Sequence, residues 1–167
     1  PIVRSMFMAI GLFFAWSASV SAAPGDLDPS FGIGGKLTNW AGGANAVVIQ
    51  PDGKIVAVGR TPFNVFAVAR YNADGSPDAA FGNAGRISFP VGFFGSSFGI
   101  DAAIQPDGKI IVTCYDDDQG FGAIVRLNVN GSLDTSFGNN GTVDTTGGAY
   151  SVAIQPDGKI ITSGGVP

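Results

Sequence analysis

One hexapeptide occurs three times in this chain and constrains its fold more than any other feature. It reads Gln-Pro-Asp-Gly-Lys-Ile, and its copies occupy residues 50–55, 105–110 and 155–160. Proline sets the φ angle for the first corner of a type I turn, and glycine takes the left-handed conformation that closes a bulged hairpin loop. Apolar runs flank each copy. We therefore predict three β-hairpins of one design, with Gly53, Gly108 and Gly158 at the left-handed position.

The composition favours an all-β fold. The 167 residues include 26 glycines and 13 acidic residues, all of which are aspartate. Glycine and aspartate are turn residues, whereas glutamate, which forms helices well, does not occur, so many short strands joined by tight turns are expected. The net charge is −4 and the nine basic residues are scattered, so we expect no nucleic-acid partner.

The first residues have the pattern of a signal peptide, which we assign to residues 1–23 as a helix. Arg4 supplies a positive start, residues 6–16 carry no charge, and residues 17–23 are small apart from Val20. The alternative is an uncleaved membrane anchor, but the apolar run is shorter than the roughly 18 to 20 residues that a spanning helix needs. We expect cleavage, no membrane span in the remaining chain, and a secreted or cell-surface location.

A second motif, Asp-x-x-Phe-Gly-x-x-Gly, begins at residues 28, 78 and 134 and shows that residues 24–167 are tandem repeats. The units are 25–74, 75–130 and a truncated unit 131–167. In the first unit we predict four strands, at residues 36–38, 45–50, 55–60 and 65–72. The strand that enters each turn is apolar on both faces, which indicates a sheet covered on both sides. Four short antiparallel strands in a repeated unit are typical of a β-propeller blade.

At these two motifs the chain resembles the delta-60 repeat family of bacterial secreted and surface proteins, which are expected to form β-propellers. The segment Ala69-Arg70-Tyr71-Asn72, echoed at residues 125–128, adds to the resemblance. The resemblance implies a partial, open β-propeller of about 2.75 blades, fewer than the four or more that close a ring. Further propeller repeats of the same chain are therefore expected as partners. The family resemblance implies no particular activity.

Three phenylalanines recur at one place in the repeat, and we predict that they lock successive units together. Phe31, Phe81 and Phe137 each lie between a turn-forming aspartate and a glycine that permits an unusual backbone angle. This arrangement lets a large ring turn inward where one unit meets the next. The alternative is a set of exposed rings that bind a ligand.

The aspartates of the same motif have two possible roles. Asp28, Asp78 and Asp134 could form a catalytic or metal-binding set, but each can also accept backbone N–H bonds and fix the turn before phenylalanine. We favour turn capping because each aspartate occupies the same place in its own unit. Arg70 and Arg126 also recur, and we expect them to pair with the turn aspartates or with carbonyls.

The single cysteine is predicted to be structural. Cys114 occupies the place held by Gly59 and Gly164 in the other units, which indicates a small side chain in a tight strand position. The chain has no histidine, so a Cys-His nucleophile is excluded. We expect a buried, unreactive thiol.

Two stretches depart from the repeat and are the candidate binding sites. Asp116, Asp117 and Asp118 could supply oxygen ligands to Ca²⁺, but the stretch lacks the full calcium loop, and we favour a solvated acidic turn. The second stretch lies in the longer connection before the second hairpin. Its rings could form an exposed contact patch, but we favour packing over the blade edge. They are Phe93, Phe94 and Phe98.

Three functions are compatible with these features. The first is a non-catalytic, exported β-propeller scaffold for extracellular or cell-surface binding and adhesion, with an unknown extracellular protein or a glycan as partner. It needs no cofactor, and no residue is assigned a catalytic role. The second is a secreted propeller hydrolase that uses two facing aspartates. The third is a Ca²⁺-stabilised adhesive module. We favour the first because no nucleophile motif, phosphate loop or metal-ligand cluster occurs in the sequence.

Overall fold

The computed structural model describes residues 23–38, 42–91, 97–116 and 120–165. The expected signal peptide and its helix therefore lie, apart from Ala23, outside the described residues. Those residues form ten β-strands and no helix. The strands are β1 (Gly43–Ile49), β2 (Ile55–Arg60), β3 (Phe66–Tyr71), β4 (Arg86–Ser88), β5 (Ser97–Ile104), β6 (Ile110–Asp116), β7 (Gly122–Leu127), β8 (Thr142–Thr145), β9 (Ala149–Ile154) and β10 (Ile160–Gly164).

The strands form three antiparallel sheets in the order of the chain. The first sheet is β1-β2-β3-β4, the second is β5-β6-β7-β8, and the third consists of β9 and β10. Within each sheet consecutive strands pair, which is the meander of a propeller blade. The prediction of an all-β, open, partial β-propeller is confirmed.

The three hexapeptides form the predicted hairpin turns. The amide of Gly53 donates to the carbonyl of Gln50 at 2.9 Å, and the same bond recurs in the other two turns. The φ angles of Gly53, Gly108 and Gly158 are 83°, 82° and 83°. These positive angles are costly for a residue with a Cβ atom, so the repeated glycine is a requirement of the backbone.

The sheets do not coincide with the sequence units. The sequence predicts that the strand near residue 86 opens the second unit, but β4 pairs with β3 and completes the first sheet, with Ile87 opposite Val68. In the same way β8 pairs with β7 and completes the second sheet. The predicted grouping of strands is therefore wrong by one strand.

The second repeated motif explains this shift. The amide of Asp78 donates to the carbonyl of Arg70 at 3.0 Å, and the amide of Arg70 donates to the carbonyl of Gly85 at 2.9 Å. The motif is thus folded back along β3 before β4 begins. Residues 36–38, predicted as a strand, form only an isolated bridge between Gly32 and Lys36 because no strand for them to pair with lies among the described residues.

The sheets pack face to face, and each sheet has two distinct faces. We call the side that carries Ala102, Ile104 and Val112 in the second sheet the leading face, and the opposite side the trailing face. Residues at the same sequence distance from their hexapeptides occupy equivalent places in the three sheets. By this equivalence, Val56 and Val58 lie on the trailing face of the first sheet. A valine or isoleucine side chain contributes about 1.5 to 3 kcal/mol when fully buried.

The main core lies between the trailing face of the first sheet and the leading face of the second. It contains side chains from β2, β3, β6 and β7, and its interior members are at most 6% exposed. They are Val56, Val58, Phe66, Val68, Phe81, Val91, Ile110, Val112, Cys114, Ala123, Val125 and Leu127. The main hydrophobic core is therefore the junction between two blades.

The junction between the second and third sheets is more polar. Asp101 on β5 accepts hydrogen bonds from the Ser151 hydroxyl at 2.8 Å and from the Val152 amide at 3.0 Å. Ile111 and Thr113, on the trailing face of β6, are fully buried. A single carboxylate therefore joins β5 to β9 across this junction.

The prediction that every turn-entering strand is covered on both sides is wrong for β1. Val47 and Ile49, on its leading face, are 63% and 67% exposed. Further along the same face, Ala57 and Tyr71 are buried under Leu37. The segment before β1 thus covers β2 and β3 on this face and leaves β1 exposed.

Across the described parts of the chain, no helix has the length and apolarity required to cross a membrane.

Candidate functional site

The repeated phenylalanine at residue 81 lies at the junction of the first two sheets. Its side chain is fully buried. The guanidinium carbon of Arg70 lies 4.7 Å from the centre of the ring on one side. On another side the ring contacts Gly131, where a Cβ atom would come within 2.9 Å of it. The structure places Phe81 as a packing residue between blades and leaves no ring surface for a ligand.

The arginine beside this ring is held by a buried ion pair. Arg70 Nε donates to Asp78 Oδ2 at 2.8 Å, and both side chains are less than a tenth exposed. Arg70 also donates to the carbonyl of Val129, in the next unit. Burial raises the pKa of Asp78, but the bond from the Ala80 amide and the charge of Arg70 outweigh it and hold that pKa below its usual value. The ion pair therefore keeps two opposite charges buried at the junction.

The same contacts recur in the next unit. Arg126 Nε lies 2.7 Å from Asp134 Oδ2, and the guanidinium carbon of Arg126 lies 4.5 Å from the centre of the Phe137 ring. Hydrogen bonds from Ser136 and Lys109 hold the pKa of Asp134 well below its ordinary range. Two of the aspartates considered as a catalytic or metal set thus form ion pairs with arginine, as predicted.

The other two repeated rings are less buried than Phe81. Phe137 is half-buried: it keeps its arginine, but no following turn with a glycine equivalent to Gly131 lies among the described residues. Phe31 is also half-buried, and its neighbour Gly32 donates to the carbonyl of Asp74 at 2.9 Å. A ring of this kind is fully buried where both the preceding arginine and the following turn are present.

The candidate calcium ligands lie only partly within the described residues. Asp117 and Asp118 are outside them. Asp116 is the last residue of β6, opposite Ser97, and is 7% exposed. It is therefore buried at the end of a strand, and the prediction of a solvated acidic turn is wrong for this residue. The described part of the chain contains no cluster of three or more potential metal-ligating side chains.

Cys114 is 1% exposed and belongs to the core between the first two sheets. Burial raises the pKa of its thiol far above the ordinary value. A thiolate, which is the nucleophilic form, is therefore strongly disfavoured at neutral pH. The thiol is placed as a small apolar side chain.

The candidate contact patch lies only partly within the described residues. Phe93 and Phe94 lie outside them. Phe98 was expected in a connection, but it is the second residue of β5, because that strand starts at Ser97 and pairs with the end of β6. Its ring is half-buried.

Phe98 belongs to a cluster of aromatic rings that spans two sheets, which we call the aromatic cluster. Its ring centre lies 6.0 Å from that of Tyr115, its cross-strand neighbour on β6. The ring of Tyr115 lies 5.5 Å from that of Tyr150 on β9. The guanidinium of Arg60, at the end of β2 in the first sheet, lies 5.3 Å from the centre of the Phe98 ring. The aromatic cluster therefore comprises Arg60, Phe98, Tyr115 and Tyr150.

The aromatic cluster lies at the strand ends opposite to the three hexapeptide turns and faces the surface. Tyr150 is 46% exposed and Arg60 is exposed, while Phe98 and Tyr115 are half-buried. The ring of Tyr150 lies over Gly148, where a Cβ atom would approach it within 2.4 Å. Gly148 is equivalent to Phe98 of the second sheet. Because Gly148 has no side chain, the Tyr150 ring has room to reach Tyr115.

Sequence reasoning found Phe98 but missed the other three members of the aromatic cluster. A signal was present, because they do not follow the repeat. Tyr115 occupies the place of Arg60 and Gly165 in the other units, and Tyr150 that of Asn45 and Ile100. Aromatic substitutions at repeat positions, compared across units, could have indicated the cluster.

A cleft of about 680 Å³ lies at the opposite strand ends, between the hexapeptide turns. Val48, Ile49, Ile104 and Ile154 line it together with parts of the turns, and the amide oxygen of Gln105 is the one buried side-chain oxygen or nitrogen in the described residues without a hydrogen-bond partner. Positions that repeat in every unit supply this lining. We attribute the cleft to blade packing.

Comparison with known families agrees with this architecture. Residues 50–81 and 105–137 match a family described as a domain of unknown function (DUF5122) beta-propeller. The chain carries β-propeller repeats. Each matched propeller repeat runs from the glutamine of the hexapeptide to the phenylalanine of the second motif, so it crosses the unit boundary predicted at residue 75 or 131, as the sheets do. No curated protein matches the chain.

Proposed function

We propose that this propeller-repeat chain is a non-catalytic, exported binding scaffold that acts outside the cell or at its surface. The observation that supports this function is the aromatic cluster. Three rings and a guanidinium group from three successive sheets come together at one surface, at positions where the chain departs from its repeat. Aromatic and arginine side chains are those most enriched at binding hot spots.

The chemistry of the aromatic cluster suits a partner with both apolar and polar groups. A tyrosine combines an apolar ring face with a hydroxyl that stays hydrated, and Arg60 adds a cation with several donors. The C–H face of a sugar ring or the side chains of an extracellular protein would meet these needs. Membership of the delta-60 family and export through the N-terminal segment belong to the same proposal. The sequence motifs and the charge and size pattern of residues 1–23 support them.

The hydrolase and calcium alternatives have less support. Asp78 and Asp134 are bound to arginines, and Asp101 joins two sheets. Each of these carboxylates has a structural partner in the described residues, whereas the aromatic cluster has an exposed surface. We therefore keep a single function.

The test compares two exposed rings. Tyr150→Ala removes the most exposed ring of the aromatic cluster, and Phe63→Ala removes a ring that is 87% exposed in the loop after β2, outside the cluster. The purified variants are titrated against a panel of soluble polysaccharides and extracellular matrix proteins. We expect binding of at least one panel member, weakened roughly tenfold or more by Tyr150→Ala and unchanged by Phe63→Ala. Equal effects of the two substitutions would refute the site.

Export is tested separately. The intact gene product, expressed in a bacterial host, is fractionated and its N-terminus determined by mass spectrometry. We expect removal of the first residues up to Ala22 or Ala23 and recovery of the processed chain outside the cytoplasm. An unprocessed chain in the cytoplasm would contradict export while leaving the binding site untouched.

A further inference from the structure

Two Asn-Gly dipeptides occur in the chain, and one of them lies at the junction between the first two sheets. They are Asn130-Gly131 and Asn140-Gly141. An asparagine followed by glycine is chemically labile, because glycine has no side chain to hinder attack of its backbone nitrogen on the asparagine side chain. The two dipeptides have the same intrinsic reactivity, so a difference between them in the folded chain must come from their surroundings.

The side chain of Asn130 is held over the backbone of Gly131. Asn130 Oδ1 accepts hydrogen bonds from the Ser132 amide at 3.0 Å and from the Ser132 hydroxyl at 2.8 Å. Because Ser132 is two residues further along the chain, these bonds fold the side chain towards the Gly131 nitrogen that lies between them. They also draw electron density from the side-chain carbonyl carbon. The attacked carbon is thus both close to the nitrogen and polarised.

One hydrogen bond opposes the attack. The Gly131 amide donates to the carbonyl of Asn128 at 2.9 Å, and this bond must break before the nitrogen can react. The bond belongs to a surface turn, in which Asn130 and Ser132 are exposed. Such turns open locally at a much lower free energy than the whole domain. The reaction is therefore slowed in the fold but does not require global unfolding.

The first sequence unit shows that the acidic product fits this turn. Asp74 occupies the place of Asn130, and its Oδ1 accepts from the Ser76 amide at 2.8 Å and from the Ser76 hydroxyl at 2.7 Å. These are the same two bonds that Asn130 makes. Aspartate at residue 130 should therefore preserve the turn.

We propose that Asn130 is a site of spontaneous deamidation in the folded protein. The Gly131 nitrogen forms a bond to Cγ of Asn130 and gives up its proton, and the side-chain nitrogen leaves as ammonia. The product is a cyclic imide. Water then opens the imide at either of its two carbonyl carbons. One opening gives aspartate, and the other gives isoaspartate, in which the main chain runs through the former side chain.

The two products have opposite consequences for the blade junction. The carbonyl of Asn130 accepts from the Gly82 amide at 2.8 Å, and Gly131 contacts the buried ring of Phe81. Aspartate leaves the main chain unchanged and keeps both contacts. Isoaspartate adds a methylene group to the main chain and turns the bonded carbonyl into a free carboxylate. It therefore loosens the junction between the first two blades.

Asn140 provides an internal comparison, because its side chain is not held in the same way. The amide and the hydroxyl of Thr142, two residues further along, donate to the carbonyl of Asn139 at 3.2 Å and 3.0 Å. The Gly141 amide donates to the carbonyl of Phe137 at 2.7 Å. The attacking nitrogen is thus bonded as at Gly131, but the donors that orient Asn130 have no counterpart. Asn140 should react more slowly.

The test follows both sites in the full chain, kept folded at mildly alkaline pH and physiological temperature. Peptide mapping by mass spectrometry separates asparagine, aspartate and isoaspartate at each site over time. We expect Asn130 to convert at least about threefold faster than Asn140, and Ser132→Ala to slow Asn130 by about threefold without changing Asn140, as expected for loss of one hydrogen bond. In denaturant the two sites should convert at similar rates.

The second readout is thermal melting followed by circular dichroism. Asn130→Asp should melt within about 1 °C of the wild type, whereas the chromatographic fraction that carries isoaspartate at residue 130 should melt roughly 3 °C lower or more. Equal rates at the two sites of the folded wild-type chain, or a rate difference that persists in denaturant, would overturn the proposal without reliance on any variant. An unchanged rate in Ser132→Ala would contradict the orienting role of that residue, and an isoaspartate fraction as stable as Asn130→Asp would contradict the effect on the junction.

Discussion

Replacing Phe81 by alanine should cause one of the largest losses of stability available in this chain. Its ring is fully buried between the first two sheets, and removal of a buried phenylalanine costs about 3 to 5 kcal/mol through lost burial and the remaining cavity. The cavity would lie beside Arg70, which stacks on the ring at 4.7 Å. The range for such truncations already includes lost contacts of this kind, which are worth about 0.5 to 2 kcal/mol. We expect a total of about 4 kcal/mol.

Phe137→Ala provides the matched comparison. This ring has the same place in the repeat and the same stacked arginine, at 4.5 Å, but it is only half-buried. We expect a loss of about 1 to 2 kcal/mol, because roughly half as much apolar area is removed from contact. The two variants therefore separate burial at the junction from the properties of the motif.

The assay is urea unfolding followed by circular dichroism and fluorescence. With a slope of about 2 kcal/mol per M, the Phe81→Ala midpoint should fall by about 2 M and the Phe137→Ala midpoint by less than about 1 M. A loss below about 1 kcal/mol for Phe81→Ala, or equal losses for the two variants, would refute the role of Phe81 as the packing residue between blades.

Three other predictions concern the turn, the ion pair and the thiol. Gly53→Val should lower the unfolding free energy by about 1 to 2 kcal/mol or more through backbone strain at φ 83°, whereas Gly53→Asn should cost less, and an equal midpoint for both in thermal melting would be inconsistent with a left-handed turn position. Because the pKa of Asp78 is lowered on folding, its contribution to stability is present above about pH 4 and is lost as the pH falls, so urea unfolding of Asp78→Asn should depend less on pH between 5 and 3 than that of the wild type. Cys114 should react with a thiol reagent only after the chain unfolds; fast labelling of the folded protein would show that the thiol is accessible.

The features that could be predicted from the sequence are local ones. The hexapeptide encodes a complete turn, because Gly53, Asp52 and Gln50 make their contacts within a few residues. Asp52 Oδ1 accepts from the Lys54 amide at 3.1 Å, and Gln50 accepts from Gly53. The capping role of the motif aspartates has the same local origin. Such contacts are fixed by neighbouring residue types alone.

The grouping of strands into sheets could not be predicted in the same way. A tandem repeat can be divided at any point, and the periodicity of the sequence does not show which division matches a sheet. The decisive contacts are the pairing of Val68 with Ile87 and the hydrogen bonds of Arg70 with Gly85 and Asp78, which join residues from two sequence units.

The aromatic cluster escaped prediction for a related reason. Arg60, Phe98, Tyr115 and Tyr150 are separated by up to 90 residues and come from three sheets. Only the stacking of those sheets brings them together. Phe98 was found because it follows the longer connection before β5, whereas Tyr115 and Tyr150 are single substitutions away from any insertion.

The most direct test of the account is an engineered disulfide between β3 and β4, since the central claim is that each blade is completed by a strand of the following sequence unit. Ala67 and Ser88 face each other across these two strands. In antiparallel strands such partners have Cα atoms about 4.5 to 5.5 Å apart, within the range that a disulfide spans. Ala69→Cys with Ser88→Cys is the control, because these residues are out of register and lie roughly 7 to 8 Å apart. Cys114 is buried and remains in place.

The measurement is the extent of disulfide formation in the folded chain and its effect on the melting temperature. We predict that Ala67→Cys with Ser88→Cys oxidises readily and raises the unfolding free energy by about 3 kcal/mol, as expected for a closed loop of this length, while the control pair stays reduced. Failure of the first pair to oxidise in the folded chain, or a lower melting temperature once it has done so, would contradict the assignment of β4 to the first blade.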